Sequence, residues 1–202
     1  MLKIWGRTNS INVQKVMWAV AELGLEHERV DAGRQFGLVK EPWYLKMNPN
    51  GLVPTIDDGG FVLWESNAIV RYLFAKYGRP GSAEQRADAD RWMEWYSTTY
   101  AAKVAPIFLG LIRTPPEERN MAAIEACRKA TIETLTILEA HLAGRDYLCG
   151  SDFTMGDIPL GAGIYRWYNL PIERPPYPNI EAWYQRLRAR PGYQKHVMIP
   201  LS

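Results

Sequence analysis

The sequence predicts a chain of two parts: an α+β domain of order βαβ–α–ββα, then an all-α helical bundle. Three observations carry this. In the first part, short strand-like runs flank a stretch with apolar residues at helical spacing, and a strand–helix–strand order with a crossover of that length argues a parallel βαβ unit. Leu52–Tyr77 then reads as a hairpin running straight into a helix. From Ala83 onward no convincing strand is found. At 202 residues the chain has room for one large or two small domains. The expected boundaries are 1–79 and 84–202, joined through Arg79-Pro80-Gly81-Ser82, where Pro and Gly adjoin without apolar pattern.

In order, Leu2, Ile4 and Trp5 form a first strand ending at Gly6. The polar run Arg7-Thr8-Asn9-Ser10-Ile11-Asn12 leads into a helix through Val13, Val16, Met17, Val20 and Leu23, which Gly24 closes. Glu28–Asp31 is a second strand with Val30 inward. Ala32–Pro42 is loop-like, and Trp43–Met47 a short helix. Val53–Ile56 and Phe61–Trp64 flank Asp57-Asp58-Gly59-Gly60, whose glycines supply the positive φ angles of a tight hairpin. The helix that follows carries Ile69, Tyr72, Leu73 and Tyr77, with Gly78 at its C′ position.

In the second part, Ala87–Leu109 is one long helical stretch, bent near Pro106. Thr114-Pro115-Pro116-Glu117 signals a new helix, lined by Ile124, Cys127, Thr131, Leu135, Leu138 and Leu142 as far as Gly144. Thr154-x-x-Asp157 is a capping box flanked by a Phe153/Ile158 staple. A last helix spans Ile180–Arg190 and stops before Pro191-Gly192.

Composition narrows the function. Twenty-four Lys and Arg against 22 Asp and Glu leave +2, and no long basic run occurs, which argues against nucleic acid as the partner. No apolar stretch reaches membrane-spanning length. The first residues, MLKIWGRTNS, lack a signal peptide's apolar core, and the two cysteines, Cys127 and Cys149, make no disulfide framework, so the cytoplasm is expected. C-x-x-C is absent, which argues against dithiol exchange. His27, His141 and His196 lack metal-ligand spacing, and no metal is expected.

The hairpin–helix junction suits an amino-acid head group. A helix N-terminus offers unpaired N–H groups and a positive dipole end to a carboxylate. Ser66 adds a hydroxyl, and Glu65 the opposite charge for an α-ammonium group. The same two residues also suit a plain helix cap. Pro54, just inside a strand, lacks the N–H a ladder needs. X-Pro is where a cis peptide is cheap, and a cis Val53-Pro54 bond would leave the Val53 N–H and C=O free for an extended peptide.

Together, Pro54, the hairpin, Glu65-Ser66 and the Thr154-x-x-Asp157 box resemble the cytosolic glutathione transferases, in particular bacterial members with a serine-type N-terminal motif. The resemblance covers nearly the whole chain. It implies a thioredoxin-like first domain, glutathione as co-substrate with no further cofactor, and a homodimer. It further implies an enzyme that ionises the glutathione thiol to attack a small, largely apolar electrophile. A glutathione-dependent peroxidase or small-disulfide reductase, and a non-catalytic glutathione-binding module, stay open.

Lowering a thiol's pKa by two units from about 8.5 corresponds to about 2.7 kcal/mol of differential stabilisation. The family places a Tyr, Ser or Cys as thiol partner after the first strand, and no Tyr or Cys falls between Gly6 and Lys15. That leaves Ser10 first, Asn12 second through its amide N–H, and Thr8 third; Ser10 as a mere N-cap is the alternative. Lys40, with Gln35 and Arg34 behind it, is the candidate for the glycine carboxylate. Val53 and Pro54 would hold the cysteinyl unit, and Glu65 and Ser66 the γ-glutamyl head. Tyr100, Lys103, Phe108 and Trp167 are the candidates for an electrophile pocket in the helical domain, although aromatics at helical spacing also suit a core.

Overall fold

The computed structural model describes residues 1–79 and 81–202 and divides the chain into two compact units. The first unit is Met1–Pro80 with Gly192–Ile199; the second is Gly81–Pro191 with Pro200–Ser202. The expected 84–202 domain is thus corrected: its 192–199 segment belongs to the first unit. Tyr193 is fully buried there, packing edge-on against Trp18 with ring centroids 4.7 Å apart. Of the expected linker, Pro80 lies outside the described residues, and Ser82 starts a helix by a complete capping box with Gln85.

The first unit holds β1 (Leu2–Trp5), α1 (Ile11–Glu22), β2 (His27–Val30), α2 (Pro42–Met47), β3 (Thr55–Asp58), β4 (Phe61–Trp64) and α3 (Ser66–Tyr77). The sheet order is β2-β1-β3-β4, with β1 and β2 parallel and the other pairs antiparallel. Trp5 packs with Ala32 and Tyr44. Ile4, one residue earlier, faces the opposite side of the sheet by strand alternation and is fully buried. Helices α1 and α3 pack on each other.

Three readings shift locally. β3 begins at Thr55, not Val53, because Pro54 has no N–H to give a ladder. Asp57 and Asp58 therefore lie in the strand, and Gly59-Gly60 alone makes the turn, with φ +65° and +96°. Gly78 has φ −85° and is not a left-handed cap; a methyl there would stand 2.6 Å from the Phe74 carbonyl oxygen, so close approach requires the glycine. β2 runs one residue earlier than expected, and Arg34–Phe36 forms a short 3-10 turn within the loop.

The second unit is helical: α4 (Ala83–Trp95), α5 (Ala101–Phe108), α6 (Met121–His141), α7 (Asp157–Asn169) and α8 (Pro178–Arg188). The long stretch expected near Pro106 is broken instead at two wide π turns, Tyr96–Tyr100 and Leu109–Arg113, on either side of α5. Thr114-Pro115-Pro116 launches only a 3-10 turn at Pro116–Glu118. The α6 cap is Asn120, whose side-chain oxygen accepts the Ala123 N–H at 3.0 Å. Pro191 does not end the helical part; it occupies the first position of α9 (Pro191–His196), where its missing N–H costs nothing.

Asp157 lies at the centre of this unit's polar architecture. It is fully buried, and its carboxylate accepts hydrogen bonds from the N–H groups of Leu148 (3.0 Å) and Thr154 (2.9 Å), the Thr154 hydroxyl (3.2 Å) and Trp183 Nε1 (2.9 Å). The expected capping box forms only in part, because no side chain caps α7 and the Asp157 N–H bonds the Thr154 carbonyl, but the Asp157 carboxylate ties α7 to a preceding loop and to α8. Elsewhere, α7 approaches the Tyr96–Tyr100 turn through Gly163, where a methyl would stand 2.7 Å from the Tyr100 ring and 2.9 Å from that of Tyr96. Gly163→Ala is expected to destabilise the unit by about 1–3 kcal/mol through overpacking, read as a lower urea midpoint with unchanged slope; an unchanged midpoint would count against this contact.

Candidate active site

The candidate site of the first unit lies where β1 ends, α1 begins and the Leu52–Pro54 segment leads into β3. The Val53-Pro54 bond is cis. Val53's backbone N–H and C=O have no hydrogen-bond partner among the described residues. The carbonyl before it is pinned: Leu52 O accepts from Tyr44 Oη at 2.7 Å and from Asn48 Nδ2 at 3.0 Å. Tyr44 and Asn48 also bond Thr55 Oγ1 at 2.8 and 3.0 Å, and all three side chains are buried. This network presents Val53's open edge as a fixed feature of the protein. Composition and periodicity do not announce Tyr44 or Asn48, because their role depends on a contact across seven to eleven residues of loop.

Two helix N-termini meet beside it. No side chain caps α1 or α3. Ser66, the first residue of α3, donates its hydroxyl to Asn12 Oδ1, on the second residue of α1, at 3.2 Å. Lys15 Nζ, nearly buried, bonds Asn67 Oδ1 at 3.3 Å across the same junction. The uncapped N–H groups and aligned dipoles make this corner electropositive and ready for an anion.

Glu65, just before α3, has φ +70° and ψ 111°, a conformation that costs a non-glycine residue about 1–3 kcal/mol. Its side chain is exposed, with no hydrogen bond or ion pair among the described residues. Ser10 is buried at 8 % exposure and precedes α1, yet its hydroxyl caps nothing and has no partner among the described residues. Its N–H bonds the Arg7 carbonyl at 3.3 Å. The Lys40 ammonium lies over Gly51, where a methyl would stand 3.0 Å from Nζ.

Three of the four electrophile-pocket candidates are corrected. Tyr100 and Trp167 are fully buried and Phe108 is 2 % exposed, so none presents surface to a ligand. Tyr100 donates its hydroxyl to Gly163 O at 3.2 Å, and the Arg166 guanidinium sits 4.0 Å over the Phe108 ring. The fourth, Lys103, is half-buried and donates from Nζ to Thr134 Oγ1 at 2.7 Å, joining α5 to α6. The apolar stripe of these helices faces their own core, as amphipathic packing dictates.

A mixed four-stranded sheet, a cis-proline edge with an open backbone and an anion-ready helix corner define a thioredoxin-like protein built to hold a peptide. The chain belongs to the glutathione S-transferase family. Residues 1–74 match that family's N-terminal domain and residues 100–191 its C-terminal domain. It is 45% identical to glutathione S-transferase GstB of Escherichia coli K12 over the whole of both chains. It is 33% identical to glutathione S-transferase 3 of Zea mays, covering 99% of this chain and 95% of that protein. Among solved structures, a theta class glutathione S-transferase from Xanthomonas axonopodis pv. citri with glutathione bound superposes with a TM-score of 0.95 at 48% identity. That match covers 100% of this chain and 99% of the other. The bacterial, cytosolic-type resemblance read from Pro54, Glu65-Ser66 and the capping box agrees with these matches. Among the described residues no helix is long and apolar enough to cross a membrane.

Proposed function

We propose that glutathione lies extended along Val53, its cysteinyl amide and carbonyl pairing with the open Val53 C=O and N–H. The γ-glutamyl carboxylate sits at the N-terminus of α3 with the Ser66 hydroxyl, and its ammonium group on Glu65. Lys40 takes the glycine carboxylate. Ser10 donates its hydroxyl to the sulfur, and the ionised thiol attacks a small, largely apolar electrophile held beside it. One observation carries the assignment: two uncapped helix N-termini meet next to an unpaired backbone edge, with a free serine hydroxyl between strand and helix.

Conjugation is favoured over peroxide or disulfide reduction because the similar proteins over the whole chain are named glutathione S-transferases; an aryl halide and a hydroperoxide assayed side by side test this. A cytoplasmic homodimer completes the proposal. It is supported by edge strand β4, whose Phe61 is half-exposed and packs on Tyr72, and tested by sedimentation. Glu65→Gln keeps the backbone strain but removes the charge. We expect glutathione to bind it about 10- to 100-fold more weakly by calorimetry, the loss of one charged hydrogen bond. Unchanged affinity would place the ammonium group elsewhere.

A further inference from the structure

Arg7 stands in the turn between β1 and α1 and belongs to no part of the assignment above. Its Nη1 is 2.9 Å from where a methyl on Gly33 would be, and that methyl would lie 3.3 Å from Val53 Cγ1. The guanidinium and the Val53 side chain therefore both border the open face of Gly33. Gly33 admits both by lacking a side chain. The Arg7 Nε is shut off from solvent and has no hydrogen-bond partner. Arg34, held at φ +54°, follows Gly33 directly, and its charge acts on Arg7 in the same sense as burial, lowering the Arg7 pKa from its ordinary value. Neither arginine has an acidic partner among the described residues.

A partly buried arginine beside an exposed like charge and without a carboxylate is unfavourable by itself and is complementary to an anion. Asp31, three residues before Arg34 in the chain, is taken by Arg29 at 2.5 Å. The other charged groups of the site are Lys40 over Gly51, Lys15 on Asn67, and Glu65 at the start of α3. Arg7 is the cation that shares the face of Gly33 with Val53, and the Arg7 carbonyl accepts the Ser10 N–H, so guanidinium and hydroxyl ride on one turn.

We propose that Arg7, backed by Arg34, is the cation that holds the sulfur of bound glutathione as a thiolate, while Ser10 supplies the hydrogen bond. This rests on the cysteinyl unit lying along Val53. The thiol proton leaves to bulk water on binding, and no bond to carbon forms or breaks at this stage. Arg34 touches no reacting atom and acts by position.

The test titrates the ultraviolet absorbance of the bound thiolate against pH in the wild type, Arg7→Gln, Arg7→Lys and Arg34→Gln. The same four proteins are measured for binding of glutathione and of S-methylglutathione, whose sulfur cannot ionise. We expect Arg7→Gln to raise the pKa of the bound thiol by about one to two pH units, with S-methylglutathione affinity little changed. Arg7→Lys should restore most of the shift. Arg34→Gln, at an exposed position that folding tolerates, should raise the pKa by a smaller amount and keeps the test open if Arg7→Gln does not fold. An unmoved thiol pKa in Arg7→Gln, or in a soluble Arg34→Gln where Arg7→Gln does not fold, overturns the inference and leaves glutathione along Val53. Equal weakening of both ligands also overturns it, because Arg7 then holds a carboxylate. Failure of the wild type to bind either ligand would instead remove the reading beneath it.

Discussion

Asp157→Ala is expected to lower the stability of the helical unit by about 3–5 kcal/mol. It leaves the Leu148 and Thr154 N–H groups and Trp183 Nε1, all facing the carboxylate, without an acceptor, at about 1–3 kcal/mol for each buried one. For a chain of this size the melting temperature should fall by about 10 °C or more; a fall of under about 2 °C would refute the role. The carboxylate also makes stability depend on pH. Burial pushes its pKa up to about 6, against four donors that pull it down, from an ordinary value of 3.8. Between those values the folded state holds a proton that the unfolded chain has released. Its contribution to stability therefore rises as pH falls through 6 and is smallest above 7. Asp157→Asn removes this term, so the stability gap between wild type and variant should be wider at pH 5 than at pH 7.5, by roughly 1–1.5 kcal/mol. A gap that stays constant or narrows would mean the group does not titrate there. His196 in the other unit works in the opposite sense, since burial lowers its pKa to about 4 and the folded state loses stability on acidification. Comparing variant with wild type cancels that contribution.

Ser10→Ala is expected to reduce conjugation turnover by about 100-fold, the scale seen when one donor to a developing anion is removed. Glutathione affinity should change far less. The melting temperature should stay within about 1 °C of wild type, because the hydroxyl caps no N–H of α1 and a cap worth roughly 1 kcal/mol is not there to lose. This separates the two roles a serine can have at that position. A destabilised but active variant would make Ser10 a cap after all. Full activity in Ser10→Ala together with its loss in Asn12→Ala would transfer the role to Asn12, whose side-chain oxygen otherwise serves the Ser66 hydroxyl.

Much of the frame was legible in the chain itself. Period-2 runs and helical spacing placed the four strands and α1 to α3 within a residue or two, since one buried face per element imposes its period on the residues. The Glu65-Ser66 junction and Pro54 were readable because each residue type has an uncommon backbone consequence. Asn120 shows the limit: Thr114-Pro115-Pro116-Glu117 is the stronger local signal, but the helix that packs begins six residues later. Local cap preferences of about 1 kcal/mol yield to the position at which an apolar face meets its neighbours.

The sequence by itself determined the alternation of strands and helices and the boundary near residue 80, and it marked the residues proposed here to hold glutathione. Only the tertiary structure decided which side chains are used up by their neighbours. Tyr100, Phe108 and Trp167 went to the core, while Ser10, Glu65 and the Val53 backbone stayed open. It also brought Arg7 and Val53 to the same open face of Gly33. The reason is physical: period and propensity are properties of neighbours along the chain, whereas a free hydroxyl or an unpaired charge is defined by what comes near it in space.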